Sequence, residues 1–267
     1  MKILERNNVI VSGNDKAETT LMFAHGYGCD QNMWRLVVPA FEARFRIVLF
    51  DHVGAGGSDL GAYSAVKYAS LEGYADDVIE IVETLNLTSV VFVGHSVSSM
   101  IGVIAANKAP GLFRSLVLVG PSPSYINDDD YTGGFTRPQI DELLESLDAN
   151  HMGWSMAMAP VIMGNPNREE LGQELAASFC RTDPAIAKAF AKTTFLSDSR
   201  DALPLVKVPT LILQCSDDII APEEVGQYVH ANIPGSTLVL MEATGHCPNL
   251  SAPAETIAAI DAFVSDA

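Results

Sequence analysis

The sequence predicts an α/β fold: a mostly parallel central sheet flanked by helices, with a helical insertion late in the chain. Three observations predict it. Short apolar runs rich in β-branched residues alternate with longer stretches that carry apolar residues at helical spacing. The runs are continuously apolar, which fits parallel strands covered on both faces. The alternation stops between residues 121 and 200 and then resumes.

The predicted strands are TLMFAH (20–25), FRIVLFD (45–51), SVVFVG (89–94) and SLVLVG (115–120), then VPTLILQ (208–214) and STLVLME (236–242). Helices are expected over 65–85 and 97–108, from Pro222, and from about Pro253. Alternating strands and helices imply a parallel sheet. Within 121–200 a turn-rich lead, PSPSYINDDDYTGG, is followed by four helical stretches near 138–150, 151–163, 168–181 and 184–196. Gly164-Asn165-Pro166 and Thr182-Asp183-Pro184 punctuate them, with proline near helix starts. One domain is therefore expected, with its core in 1–120 and 201–267 and a lid in 121–200.

Composition narrows the function. The 16 basic and 33 acidic residues give a formal charge of −17, which repels phosphate backbones and anionic membranes and argues against nucleic-acid binding. No apolar stretch approaches the roughly 20 residues of a membrane helix. The N-terminal MKILERNNVIV lacks a secretory signal's apolar core. Cys29, Cys180, Cys215 and Cys247 are scattered, without C-x-x-C pairs, so reduced thiols in the cytoplasm are expected and no zinc site is suggested.

The strongest local signal is VVFVGHSVSSMIG (90–102). A buried strand leads directly through Gly94-His95-Ser96-Val97-Ser98 into a helix. A serine on such a strained turn stands its hydroxyl above the sheet edge as a nucleophile. The pattern is usually G-x-S-x-G, and Ser98 occupies the last position. Serine chemistry also needs a base, an orienting acid and an oxyanion site. His246, in EATGHCPNL after the last strand, returns an imidazole to the carboxyl edge of the sheet. Of the other histidines, His95 reads as structural and His25 as pinning backbone. His151 and His230 read as helix-surface groups, and His52 as a strand-end residue approaching the site. Asp217 and Asp218 follow VPTLILQ, and either can orient His246; spacing does not separate them. The oxyanion donors are expected to be the N–H of Val97 and that of Tyr27 in HGYG, a segment that is otherwise a tight turn.

Taken together, HGYGCDQNMW (25–34), FDHVGAGGSDL (50–60), VFVGHSVSSMIG (91–102), LVLVGPSPSYINDDDYTGGF (116–135), LILQCSDDIIAP (211–222) and GHCPNLSAP (245–253) resemble the RsbQ-like subfamily of α/β-hydrolases. That subfamily contains a bacterial stress-response hydrolase and the plant strigolactone and karrikin receptors. The resemblance implies the α/β-hydrolase fold, with a four-helix, V-shaped lid inserted after the sixth strand over an apolar cavity. Phe135, Trp154, Ile162 and Phe195 are the candidates to line it. It selects Asp218 as the acid and accepts serine at position 98. Tyr27 departs from the usual phenylalanine, adding a hydroxyl to the pocket, and His52 departs from an apolar or aromatic residue. The implied activity is hydrolysis of a small apolar ester or lactone through a serine acyl-enzyme, without metal or organic cofactor. A nucleophilic serine argues against dehalogenase and epoxide-hydrolase chemistry, which use aspartate there. The alternative implied role is a ligand-sensing signalling module that binds a PAS-containing phosphatase in energy stress.

Overall fold

The computed structural model describes residues 2–266. Its seven strands are β1 (Ile10–Gly13), β2 (Thr20–Ala24), β3 (Arg46–Leu49), β4 (Val90–His95), β5 (Phe113–Val119), β6 (Thr210–Asp217) and β7 (Thr237–Thr244). They form one sheet in the order β1-β3-β2-β4-β5-β6-β7, parallel throughout except for antiparallel β1. All residues of β2 and β4 are buried, as continuous apolar runs predict for central parallel strands. β7 lies at an edge, and its residues are largely half-buried or exposed.

The helices are α1 (Ile3–Arg6), α2 (Leu71–Thr84), α3 (Val97–Lys108), α4 (Arg137–Ala149), α5 (His151–Met163), α6 (Glu169–Arg181), α7 (Pro184–Phe195), α8 (Glu223–Asn232), α9 (Pro248–Ser251) and α10 (Pro253–Asp266). Side chains alternate across the sheet, so Leu21, Phe23, Val91 and Val93 join one apolar layer and Met22, Phe92 and Val90 the other. The first layer continues into the helical insertion through Tyr125, Trp154 and Phe179.

The four predicted insertion helices correspond to α4–α7. Local chemistry fixes their starts: a Thr136–Gln139 capping box for α4, Asn150 for α5, and Asp183 before Pro184 for α7. Three expectations need correction. The insertion follows the fifth strand, not the sixth, because among the described residues only β1 to β5 precede α4, and β6 follows α7. The helix expected over 65–85 is only Leu71–Thr84. Ser70 is extended (φ −141°, ψ 166°), and a tight turn at Lys67–Ala69 folds back so closely that a Cβ on Gly73 would meet the Lys67 carbonyl. The edge strand β1 has no counterpart among the predicted strands, since only Ile10 and Val11 carry it and both are exposed.

Candidate active site

Five loops leave the carboxyl edge of the parallel strands and meet above the sheet: those after β2, β4, β5, β6 and β7. The central one is the turn from β4 into α3. Ser96 has φ 57° and ψ −124°, a conformation that non-glycine residues avoid. The turn holds because its neighbourhood is small: a Cβ on Gly94 would lie 2.5 Å from the Ser98 carbonyl oxygen. Across the gap, a Cβ on Gly26 would lie 2.6 Å from His95 Nδ1 and 3.2 Å from Ser96 Cβ. Val97 is the first residue of α3, so its N–H belongs to the helix end that lacks intrahelical acceptors.

Ser96 Oγ and His246 Nε2 are 2.7 Å apart, and His246 Nδ1 and Asp218 Oδ2 are also 2.7 Å apart. A carboxylate only accepts, so Nδ1–H donates to Asp218 and the free lone pair on Nε2 accepts the Ser96 proton. Asp218 Oδ1 accepts from the N–H groups of Ile220 (2.8 Å) and Ala221 (3.1 Å). Ser96 and His246 are each 5% exposed, and the Asp218 side chain is fully buried behind them. The adjacent carboxylates diverge: Asp217 is exposed and offers its backbone carbonyl to the Gly245 N–H (2.6 Å).

A cavity of about 30 Å³ lies over Ser96. Tyr27, Trp154, Ile162 and Phe195 line it, along with Ser96, His95 and His246. Phe135 does not. It sits in the lead to α4, where its N–H donates to the Tyr125 carbonyl and its carbonyl accepts from the Asn127 N–H. Tyr125, Phe179, Leu175, Cys29, Thr194, Ile220 and Cys247 complete the lining, and none of them is among the sequence candidates. Tyr125 carries a signal, since it stands in the motif SPSYINDDDY. Phe179 and Leu175 carry none that separates them from ordinary core residues of an amphipathic helix. Burial raises the Tyr125 phenol well above its usual range, with the Ser96 hydroxyl pulling the other way. Burial also pushes the Cys29 thiol up to about 12, so it is an unreactive thiol in the wall.

Tyr27 departs from expectation in an informative way. Its hydroxyl is not free in the cavity: Oη donates to the Ala187 carbonyl of α7 (3.3 Å), and its ring touches Trp154, Phe179, Phe190 and Phe195. His95 is structural and also part of the wall, donating Nε2–H to the His246 carbonyl (2.7 Å). Burial, then the neighbouring His246, lowers its pKa to about 3, so it stays neutral. His25 and His52 are buried next to each other. His151 begins α5 half-buried, while His230 is exposed on α8, bonded to Ser236. No helix of the described residues is long and apolar enough to cross a membrane, and no group of three His, Cys, Asp or Glu among them forms a metal cluster.

A family model described as the alpha/beta hydrolase family matches residues 21–260. The chain is similar to a probable esterase of Oryza sativa subsp. japonica, 41% identical over 250 residues that cover 93% of this chain and 92% of the relative. It is also similar to the Karrikin insensitive 2 receptor CA of Petunia hybrida, 40% identical with the same shares covered. A solved structure of a hydrolase from Oleispira antarctica superposes with a TM-score of 0.96 at 43% identity, covering 99% of this chain and 97% of that one.

Proposed function

The chain belongs to the alpha/beta hydrolase family, and we propose that it is a serine hydrolase cleaving small, apolar esters or lactones through an acyl-enzyme. The observation that carries this reading is the unbroken hydrogen-bond line from Ser96 through His246 to Asp218, opening on an uncharged cavity.

Ser96 Oγ attacks the ester carbonyl while His246 Nε2 takes its proton, and the tetrahedral oxyanion accepts from the N–H groups of Tyr27 and Val97. The imidazolium then protonates the leaving alcohol as the C–O bond breaks. Water next attacks the acyl-enzyme, giving its proton to His246, and Ser96 leaves as the restored hydroxyl. Asp218 stabilises the transient imidazolium and fixes the Nδ1–H tautomer. Its two backbone hydrogen bonds keep it from turning away. The test is intact-mass labelling with a serine-directed phosphonate, then peptide mapping, followed by turnover of short p-nitrophenyl esters and butenolides. One adduct on Ser96 is expected; an adduct elsewhere would remove the assignment.

One observation favours a second reading, a ligand-sensing module of RsbQ-like type that acts in the cytoplasm on a PAS-containing phosphatase. On α5 the solvent face is apolar throughout: Met152, Met156, Ala157, Pro160 and Val161 are all exposed. An exposed apolar stripe of this kind is a feature of protein-interaction surfaces. Binding of a purified PAS phosphatase, lost on Met152→Glu/Met156→Glu while esterase turnover stays intact, would support it. Equal binding by the variant would exclude that face.

A further inference from the structure

Two residues that depart from the usual pattern, Ser98 in the nucleophile turn and His52 after β3, are bonded to each other. His52 Nε2 and Ser98 Oγ are 2.7 Å apart, and Ser98 Oγ donates to the His25 carbonyl at 2.5 Å. That donation commits the only Ser98 proton, so Ser98 accepts from His52, which therefore carries its hydrogen on Nε2. The His52 backbone N–H in turn donates to His25 Nε2 (3.0 Å), leaving the other hydrogen of His25 on Nδ1, where it donates to the Gly26 carbonyl (2.9 Å). The three residues thus close a buried set in which His52 donates to both Ser98 and His25, and Ser98 donates to His25; Ser98 and His25 are fully buried and His52 nearly so. Burial, followed by the charge His25 would carry, lowers the His52 pKa, in keeping with a neutral ring. The aromatic rings of Phe50, Tyr74 and Phe190 pack around His52 and offer it no charged partner.

What this set grips is backbone. It holds the His25 carbonyl, the His25 ring and the Gly26 carbonyl, in the two residues directly before the Tyr27 N–H. From the other side, the Tyr27 hydroxyl ties the same loop to α7 through Ala187. We propose that Ser98, His52 and His25 form a positioning unit that presets the oxyanion loop. None of them meets substrate; they hold the Tyr27 N–H at the place where negative charge develops. This inference rests on the serine-hydrolase reading above. Preset donors are worth most when they need not reorganise during the reaction, so a loosened loop should lower turnover without weakening ground-state binding.

The experiment compares wild type, Ser98→Ala, His52→Phe and the double variant by phosphonate inactivation rate, by kcat and KM on p-nitrophenyl acetate, and by Tm. Loss of a whole oxyanion donor costs roughly 10²–10³ in kcat, so a displaced one should cost about ten-fold. Each single variant should show that drop with KM unchanged. The double variant should be no worse than either, because both break the same unit. Its Tm should exceed that of Ser98→Ala, in which the His52 Nε2–H is left buried without an acceptor, since removing both polar partners relieves that penalty. Recovery of kcat along with Tm in the double variant would show a merely structural pair and overturn the proposal. So would wild-type kcat in Ser98→Ala, which removes one oxygen and decides the matter alone if His52→Phe fails to fold. A wild type that takes no phosphonate at Ser96 would remove the serine-hydrolase reading itself; labelled wild type with equally fast variants removes only the positioning unit.

Discussion

Two serines two residues apart, Ser96 and Ser98, each sit 2.7 Å from a histidine Nε2, yet their surroundings differ. Behind His246 stands Asp218, which can stabilise an imidazolium. Behind His52 stand aromatic rings, and burial drives its pKa down. Ahead of Ser96 lies a cavity; ahead of Ser98 lies the His25 carbonyl, which accepts its hydrogen bond. The proton runs from Ser96 to histidine but from histidine to Ser98. In the proposed mechanism the same two side chains at the same distance therefore make a nucleophile in one place and a backbone clamp in the other. What decides is the third group behind the histidine and the space in front of the hydroxyl.

The largest effect expected from breaking this contrast is on Ser96 itself. Ser96→Ala should lower kcat by roughly a million-fold, the scale of nucleophile loss in a comparable serine enzyme. It should also abolish phosphonate labelling, whereas Ser98→Ala remains labelled. Intact-mass spectra of the two variants make the comparison directly, and an adduct surviving in Ser96→Ala would show a different nucleophile.

Next comes the carboxylate. An amide at position 218 can donate to Nδ1 and so holds the wrong tautomer of His246, with a loss of about 10⁴-fold in kcat expected for Asp218→Asn. Asp217→Asn should change kcat by no more than about two-fold, as an exposed group does. Similar effects at both positions would take Asp218 out of the proposed mechanism.

The contrast also has a consequence for acid stability. His95 and His52 are held neutral by burial, with folded pKa values below the unfolded 6.5. The unfolded chain therefore binds more protons as pH falls, so stability is fully present above about 6.5 and is lost between there and about 3, where His95 itself protonates. Urea midpoints at pH 7.5 and pH 5 should differ in wild type, and His52→Phe should narrow the difference by removing one of the histidines whose pKa burial lowers. An unchanged difference would mean that His52 binds a proton as readily in the folded chain as in the unfolded one.

Much of this is legible in the sequence because the signals are local. Pro184 behind Asp183, the Thr136–Gln139 pair and Asn150 act within one turn, so helix starts in the insertion can be read to within a residue or so. The Ser96 turn and the His246 loop are equally local, each a short motif next to a strand. What cannot be read depends on distant partners. Tyr27, His52 and Ser98 each look like an isolated departure, since the bonds that explain them join residues 25, 52, 98 and 187. Phe135 is misassigned to the cavity because an aromatic residue beside helical segments looks the same whether it faces inward or packs elsewhere. The strand β1 escapes because two exposed apolar residues make no run.

The smallest effects concern the space in front of Ser96, and they sharpen the contrast by testing what Ser98 lacks. At about 30 Å³ the cavity holds roughly one water or a methyl-sized group. An acetyl group can enter with little rearrangement. Each further methylene that fits gains ~0.8 kcal/mol, about four-fold in kcat/KM, but forcing atoms into a packed wall costs about 1–3 kcal/mol. With Tyr27, Trp154 and Phe195 closing the space, and Tyr27 tied to α7, the second effect should win early. Wild type should peak at the shortest acyl chains and fall steeply after them. Trp154→Ala and Phe195→Ala remove wall, so the peak should move to longer chains, with the butyryl-to-acetyl ratio rising about ten-fold. Both will lower stability by about 3–5 kcal/mol, the usual loss for a buried aromatic, so kinetics belong well below Tm. Phe135→Ala is the control: it lies outside the lining, and its ratio should stay at the wild-type value. The measurement is kcat/KM across p-nitrophenyl esters of increasing length for all four proteins. A wild-type preference for long chains would mean that the insertion opens widely in solution, and a shift in Phe135→Ala as large as in Trp154→Ala would put the wall elsewhere.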